Sequence, residues 1–290
     1  MSLRADRIAT LYLFRPLLRI VPAVRGVPIL MYHSISETES GEAHPYYQTT
    51  TTPKVFAAHM QLLRESNHRV IGLGEAVKAI GGAADASRKH VVITFDDGFE
   101  DFYTRAFPVL TRYGFRAIVF LPTAFIHESA AKFKGRDCLT WNQVRELHRA
   151  GVDFGSHTVS HPQLTTLSPH DLQSEVADSK RTIEDKLGCA VESFAYPYAF
   201  PDTDRTFKQR LREILAQAGY ANGVSTTIGR ARKGGDVFFM KRLPANSHDD
   251  PRLFRAKLEG AYDWVRLPQY FAKIGKAEIG RLRFRLSSTS

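Results

Sequence analysis

The chain has 290 residues, 43% of them hydrophobic and 24% charged, which is enough to bury a sizeable core in one large α/β domain or two small ones. No linker-like stretch or internal repeat divides it, so a single domain is expected. The net charge of +10 suits anionic partners such as glycans or membrane surfaces. A nucleic-acid role is not expected, because no helix-turn-helix or RNA-binding signature accompanies the charge. The two cysteines, Cys138 and Cys189, are too few for a disulfide scaffold.

Residues 1–26 form a basic segment whose apolar runs, 11–14 and 17–21, are interrupted or flanked by arginines. The runs are too short to cross a bilayer and no convincing cleavage site follows them, so a secretory signal is not predicted and a cytoplasmic or peripheral membrane location is favoured. The segment either lies on an anionic membrane surface as an amphipathic helix or packs against the domain, and Pro16 would kink it in either case. Residues 266–290 are predicted to be a second basic segment, a C-terminal tail.

From residue 27 onwards, short apolar strands alternate with longer helical patterns. The first strand is 27–32, and a helix opened by Thr52 and Pro53 runs to about Glu65. The later strands are predicted at 70–71, 90–95, 117–121, 152–154, 193–196, 221–225 and 238–241, and the later helices at 74–80, 101–113, 140–150, 169–187 and 204–218. This alternation is typical of parallel βα units and predicts an α/β barrel.

Two adjacent carboxylates, Asp96 and Asp97, follow a short apolar strand that ends at Phe95. In barrel folds the chemistry lies at the carboxyl ends of the strands. Neighbouring side chains there point in different directions, so one carboxylate can hold a metal while the other faces what the metal activates. On this stretch alone, a plain Asp-Asp-Gly turn is an equally good interpretation.

Two histidines four residues apart, His157 and His161, follow the predicted strand 152–154. On one helical turn this spacing puts both imidazoles on the same side, close enough to share a divalent ion. Two histidines and one carboxylate form a facial triad with open positions for water and substrate. The pattern therefore predicts a divalent metal site, with zinc as the first choice and cobalt, nickel or manganese as alternatives.

These motifs give the chain a resemblance to a known family, the polysaccharide deacetylases of the NodB-homology type, also called carbohydrate esterase family 4. Three motifs carry it in the family's order: 94–98 (TFDDG), 156–162 (SHTVSHP) and 194–198 (FAYPY). Residues 28–35 also resemble the opening of the branch that contains the biofilm poly-N-acetylglucosamine deacetylases. The resemblance spans about residues 27–250 and implies a distorted (β/α)7 barrel, with a catalytic domain expected over 27–265.

The resemblance implies a metal-dependent hydrolase that removes N-acetyl groups from an N-acetylhexosamine-containing glycan or glycolipid, with a metal-bound water as the nucleophile. The implied metal ligands are Asp97, His157 and His161. Asp96 would be the general base, although on sequence alone the two aspartates could exchange roles. Tyr198, in the turn 196–198, would donate its backbone N–H to the oxyanion.

The sequence departs from the family pattern on both sides of that turn. Ala195 stands where the family usually has an arginine, and Ala199 where it has a glycine. The missing arginine normally orients the catalytic aspartate. Arg242, after the predicted strand 238–241, is the candidate replacement, with a surface arginine as an equal alternative.

The leaving amine needs a proton, and histidine is the natural donor near neutral pH. His33, at the end of the first strand, is preferred over His248, which lies in a later polar segment. Two other classes of function stay open: an inactive glycan-binding relative, and a membrane-surface binding protein. The first is disfavoured because both aspartates and both metal-site histidines are present.

Overall fold

The computed structural model describes residues 4–18, 20–21, 25–37, 48–82 and 89–271. The strands are β1 (Ile29–Tyr32), β2 (Ser34–Ile35), β3 (Thr50–Thr51), β4 (His68–Val70), β5 (Lys89–Phe95), β6 (Ile118–Leu121), β7 (Lys132–Phe133), β8 (Arg136–Asp137), β9 (Asp153–Ser156), β10 (Ser193–Ala195), β11 (Asn222–Ile228) and β12 (Met240–Pro244). The α-helices are α1 (Ala5–Ala9), α2 (Arg15–Leu17), α3 (Pro53–Glu65), α4 (Leu73–Gly81), α5 (Phe107–Tyr113), α6 (Trp141–Arg149), α7 (Pro169–Leu187), α8 (Arg205–Gln217) and α9 (Pro251–Glu259).

Seven of the strands close into one parallel barrel, in the order β1, β5, β6, β9, β10, β11 and β12. The order in space is the order along the chain, and β12 closes the ring by pairing with β1, with Leu243 beside Leu30. β4 pairs with the first residues of β5 at the edge of the ring. The predicted (β/α)7 barrel is therefore confirmed. Its strands all point the same way, so their carboxyl ends lie on one face.

Alternate residues of the barrel strands point to opposite sides. On β5, Val92 belongs to a small apolar cluster that also contains Ile29 of β1, whereas Ile93 belongs to the large core under the helices. The small cluster therefore fills the interior of the ring. The inward-facing series on β5 continues two residues at a time to Asp96, and the series on β1 continues to His33.

Several helices begin where the sequence predicted, because side chains satisfy their first backbone N–H groups. Thr52, Thr140 and Ser168 each accept a hydrogen bond from the backbone N–H three residues further on. Gln143 completes a capping box with Thr140. These caps determine where three of the helices around the barrel begin.

Two short strand pairs were not predicted. β2 pairs with β3 in parallel, and β7 and β8 form an antiparallel hairpin. The predicted strand 238–241 is displaced, since the observed strand β12 runs to Pro244. Because β2 follows the carboxyl end of β1 and the hairpin follows that of β6, these additions stand around the face where catalysis was expected.

The N-terminal segment packs on the barrel as a helix, in which a π-helical turn (Thr10–Phe14) joins α1 to α2 just before Pro16. It lies beside α9, where Leu11 is buried and Phe14 stacks on Trp264 at 4.7 Å between ring centroids. Of the predicted C-terminal tail, residues 266–271 are helical and the rest lie outside the described residues. No helix in the described ranges combines the length and the apolar character needed to cross a bilayer.

Candidate metal and catalytic site

Strand register brings His33, Asp96 and Arg242 together at the carboxyl end of the barrel. β1 and β5 are paired with Ile29 beside Val92, so their inward-facing series end side by side at His33 and Asp96. His33 Nε2 lies 3.9 Å from Asp96 Oδ2. Arg242 approaches the same carboxylate from β12, the neighbour of β1 on its other side.

Arg242 and Asp96 form a buried, bidentate ion pair. The two terminal guanidinium nitrogens donate to the two carboxylate oxygens at 2.6 and 2.7 Å, and Nε donates to the carbonyl of Ser225 at 3.0 Å. The side chains are 0% and 2% exposed, so the interpretation of Arg242 as a surface residue is wrong. Burial opposes ionisation of Asp96, but the charge and hydrogen bonds of Arg242 outweigh it and hold the pKa of Asp96 below its usual value. Asp96 is therefore an ionised carboxylate in a fixed orientation.

Asp97, His157 and His161 converge at the mouth of the barrel. One ligand atom from each lies within 4.8 Å of the others, and all three residues are buried. His161 Nε2 and His157 Nε2 lie 3.2 and 3.7 Å from Asp97 Oδ1. His157 Nδ1 lies 2.8 Å from the carbonyl of Ala195, which favours the tautomer that leaves Nε2 free to bind a metal.

These three residues fit a divalent cation. Asp97 Oδ1 is buried and has no hydrogen-bond donor within the described residues. Burial lowers the pKa of His157 to about 4, so its imidazole is neutral near pH 7, as a metal ligand requires. A buried carboxylate oxygen that accepts no hydrogen bond and faces two imidazole nitrogens is the arrangement of ligand atoms found in a His-His-carboxylate metal site.

The histidines do not lie on a helical turn, so that part of the prediction is wrong. Residues 157–160 follow β9 as a non-helical loop, although the two imidazoles still meet at 4.8 Å between ring centroids. The Thr158 hydroxyl accepts from the backbone N–H of His161 at 3.0 Å, and Glu175 of α7 accepts from the backbone N–H groups of Val159 and Ser160. The loop is thus folded by side chains that bond its backbone.

Backbone strain is concentrated at this site. Five of the six non-glycine residues with positive φ in the described ranges surround it: Asp97 (72°), Lys134 (51°), Thr158 (71°), His161 (56°) and Tyr198 (55°). Each left-handed residue costs about 1 kcal/mol or more relative to a relaxed conformation. Such residues cluster where the surrounding fold holds side chains in positions that function requires.

The turn 196–198 lies beside the two imidazoles. The ring of Tyr198 packs edge-on against His161 at 4.5 Å between centroids, and the Thr226 hydroxyl donates to the carbonyl of Tyr198 at 2.8 Å. Within the described residues, the backbone N–H of Tyr198 has no acceptor. The turn therefore presents a free donor at the edge of the site.

The two candidate acids lie in different places. His33 lines the same cavity of about 650 Å³ as Asp96 and Asp97, and its side chain is 18% exposed. Burial lowers the pKa of His33, while the two carboxylates oppose that shift. His248 does not line this cavity; its backbone N–H donates to the Asn246 side chain in the loop before α9.

Lys134, at the tip of the β7–β8 hairpin, is a site residue that the sequence did not predict. Its ammonium lies 3.2 Å from Asp97 Oδ2 and 4.5 Å from the centroid of the Phe133 ring. The Lys134-Gly135 pair predicts a turn and nothing more. No local signal relates this turn to Asp97, because the contact depends on how the hairpin folds over the barrel.

Comparisons with known proteins agree with this geometry. A family model described as polysaccharide deacetylase matches residues 83–223. YxkH of Bacillus subtilis (strain 168), assigned to the polysaccharide deacetylases, is 30% identical over 233 residues, which cover 80% of this chain and 76% of that protein. The poly-beta-1,6-N-acetyl-D-glucosamine N-deacetylase of Escherichia coli (strain K12) is 30% identical over 142 residues, 46% of this chain and 20% of that protein. The solved structure of the Streptococcus pyogenes deacetylase PplD in complex with acetate superposes with a TM-score of 0.69 at 26% identity, covering 81% of this chain and 99% of that one.

Proposed function

Because the chain belongs to the polysaccharide deacetylase family, we propose that it is a metal-dependent hydrolase that removes N-acetyl groups from an N-acetylhexosamine-containing glycan. The observation that carries the proposal is the buried cluster of Asp97, His157 and His161 beside the fixed carboxylate of Asp96. The similarity to an N-deacetylase of poly-N-acetylglucosamine supports this class of substrate.

Asp97, His157 and His161 would hold the metal, with zinc as the first choice. A divalent ion in this position lowers the pKa of a water molecule and polarises the acetamide carbonyl, which are the two requirements of amide hydrolysis.

Asp96 would accept the proton of the attacking water. A general base must be ionised and correctly aimed before the substrate arrives. The bidentate bond to Arg242 supports both conditions, since it lowers the pKa of Asp96 and occupies one side of the carboxylate while leaving lone pairs toward the cavity. Arg242 would thus be a positioning residue, in place of the arginine that the family carries before the turn at Ala195.

His33 would donate a proton to the leaving nitrogen. His33 follows β1, which pairs with β5 on one side of Asp96, whereas the metal-site histidines follow β9 on the other side. All of these side chains line the same cavity. The backbone N–H of Tyr198 would stabilise the negative charge that develops on the acetyl oxygen, because a preorganised amide costs no reorganisation when the charge forms. Base, acid and amide would therefore come from three different strands around one cavity.

The test is acetate release from an N-acetylglucosamine oligomer, followed with and without a chelator. Wild type should lose activity on chelation and regain it on adding Zn²⁺. Asp96→Asn should keep its bound metal, measured by elemental analysis, and lose at least about 10²-fold in turnover. His157→Ala should lose the metal itself. Equal metal loss in both variants would contradict the assigned roles, and chelator-resistant turnover would contradict metal dependence.

A further inference from the structure

The end of the barrel opposite the catalytic site contains a second cavity, of about 830 Å³. Its walls include Val27 and Pro28 before β1, Lys89 at the start of β5, and the last turns of α3 and α9 at Glu65 and Glu259. The strands begin at this end, so the cavity and Asp96 lie on opposite faces of the barrel.

Positive charge dominates this second cavity. Its lining includes six cations and two carboxylates: Arg25, Lys89, Arg230, Arg232, Lys233 and Arg255, with Glu65 and Glu259. Arg15 forms an ion pair with Glu259 at 2.8 Å, and Arg230 and Arg232 each form an ion pair with Asp263.

The remaining four cations, which we call the basic rim, are Arg25, Lys89, Lys233 and Arg255. All four are exposed, and none has an ion-pair partner in the described part of the chain. Four like charges around one cavity repel one another, and an anion placed between them would relieve that repulsion. Phosphate oxygens suit such a rim, because they accept several charge-assisted hydrogen bonds at once.

Exposed aliphatic side chains lie beside the basic rim. The N-terminal helix runs alongside α9, with Arg7 bonded to Asp250 at the start of α9 and Arg15 bonded to Glu259 at its end. The chain that continues past Arg15 therefore reaches the amino-terminal end of the barrel. There Leu17, Ile20 and Val21 are 46%, 81% and 58% exposed.

We propose that this end of the barrel docks on an anionic lipid bilayer, with lipid phosphate groups against the basic rim and Leu17, Ile20 and Val21 in the interfacial region. Either feature alone gives weak attachment, whereas basic charge combined with apolar side chains gives stable peripheral binding. A nucleic acid would satisfy the charge but not the exposed aliphatic residues, so the lipid surface accounts for both observations.

Docking in this way directs the catalytic cavity away from the bilayer. Together with the deacetylase function proposed above, on which this step alone rests, the orientation favours a polymer segment in the aqueous phase over a lipid-linked sugar as the substrate. Bilayer docking itself requires no turnover.

The test is co-sedimentation of the full chain with vesicles of phosphatidylcholine, with and without phosphatidylglycerol. The protein should sediment with the phosphatidylglycerol vesicles only, and raising the salt from about 0.1 M to about 0.5 M should weaken binding at least tenfold, because exposed charges are screened. The double variant Lys233→Glu/Arg255→Glu should bind at least tenfold more weakly, and Ile20→Ser severalfold more weakly.

The matched control is Lys54→Glu/Arg205→Glu, which makes the same change in net charge in the first turns of α3 and α8, at the other end of the molecule. It should bind vesicles as wild type does. Equal loss of vesicle binding in both double variants would contradict the proposed docking site. Binding to pure phosphatidylcholine as strong as to phosphatidylglycerol vesicles would also contradict it, and so would binding of a DNA oligomer without binding of vesicles. Circular dichroism checks the fold of each variant without relying on activity, so failure of docking is separate from failure of acetate release.

Discussion

The charged residues at the two ends of the barrel differ in burial and in pairing. At the carboxyl end, Asp96 is buried and held by both terminal nitrogens of Arg242. At the amino end, the basic rim is exposed and unpaired within the described ranges. Buried, bonded charge fixes orientation, whereas exposed charge attracts at a distance and is screened by salt. Replacing an arginine should therefore have a large effect on stability at the carboxyl end and a small one at the amino end.

The largest difference is expected from one substitution made at both ends. Arg242→Met leaves the buried Asp96 without its counter-charge and should lower the free energy of unfolding by about 3–5 kcal/mol. Arg255→Met removes an exposed, unpaired charge and should change it by no more than about 0.5 kcal/mol. Urea denaturation of both variants at pH 7 measures this. If the free energy of unfolding falls by a similar amount in both variants, the ion pair between Arg242 and Asp96 does not contribute to stability.

The two histidines sharpen the comparison within the carboxyl end. His33→Ala should lower turnover about 10²-fold without loss of bound metal, because it removes the proposed proton donor in the cavity. His248→Ala should leave turnover within about twofold of wild type, since its side chain lies outside that cavity. Acetate release and metal content measure both effects. The reverse result would transfer the acid role to His248.

The smallest effect concerns pH and the amino end. Burial, with help from the charge of Lys89, lowers the pKa of His68 to about 4. The unfolded chain takes up this proton near pH 6.5 and the folded chain only near pH 4, so acid favours unfolding between these values. The free energy of unfolding of wild type should fall by about 1–2 kcal/mol more between pH 7 and pH 5 than that of a His68→Asn variant. Parallel pH dependence in the two proteins would show that folding does not lower the pKa of His68.

The sequence predicted the barrel because the order of its strands in space is the order along the chain. It predicted one site for an aspartate of the Asp96-Asp97 pair and the two histidines because both motifs follow strand ends, and the family resemblance selected Asp97 as the ligand. It was wrong about the backbone between the histidines, because Ser and Thr side chains that bond the local backbone there compete with helix formation.

Other parts of the site depend on contacts between distant segments. Lys134 reaches Asp97 only through the fold of its hairpin. Gln269 lines the same cavity as Asp96 and Asp97. It accepts from the backbone N–H of Ile228 and donates to the carbonyl of Thr226, where β11 departs from regular pairing. Neither residue belongs to a motif, and a contact of this kind leaves no periodic pattern in the sequence.

Arg242 reaches Asp96 from β12, whereas the turn with the Tyr198 amide follows β10. In the proposed mechanism, the residue that aims the general base and the amide offered to the oxyanion thus belong to separate βα units. Changes in the loop after β10 would therefore leave the contact between Arg242 and Asp96 in place. In such a barrel, the orientation of Asp96 and the shape of the cavity beside Tyr198 can change independently of each other.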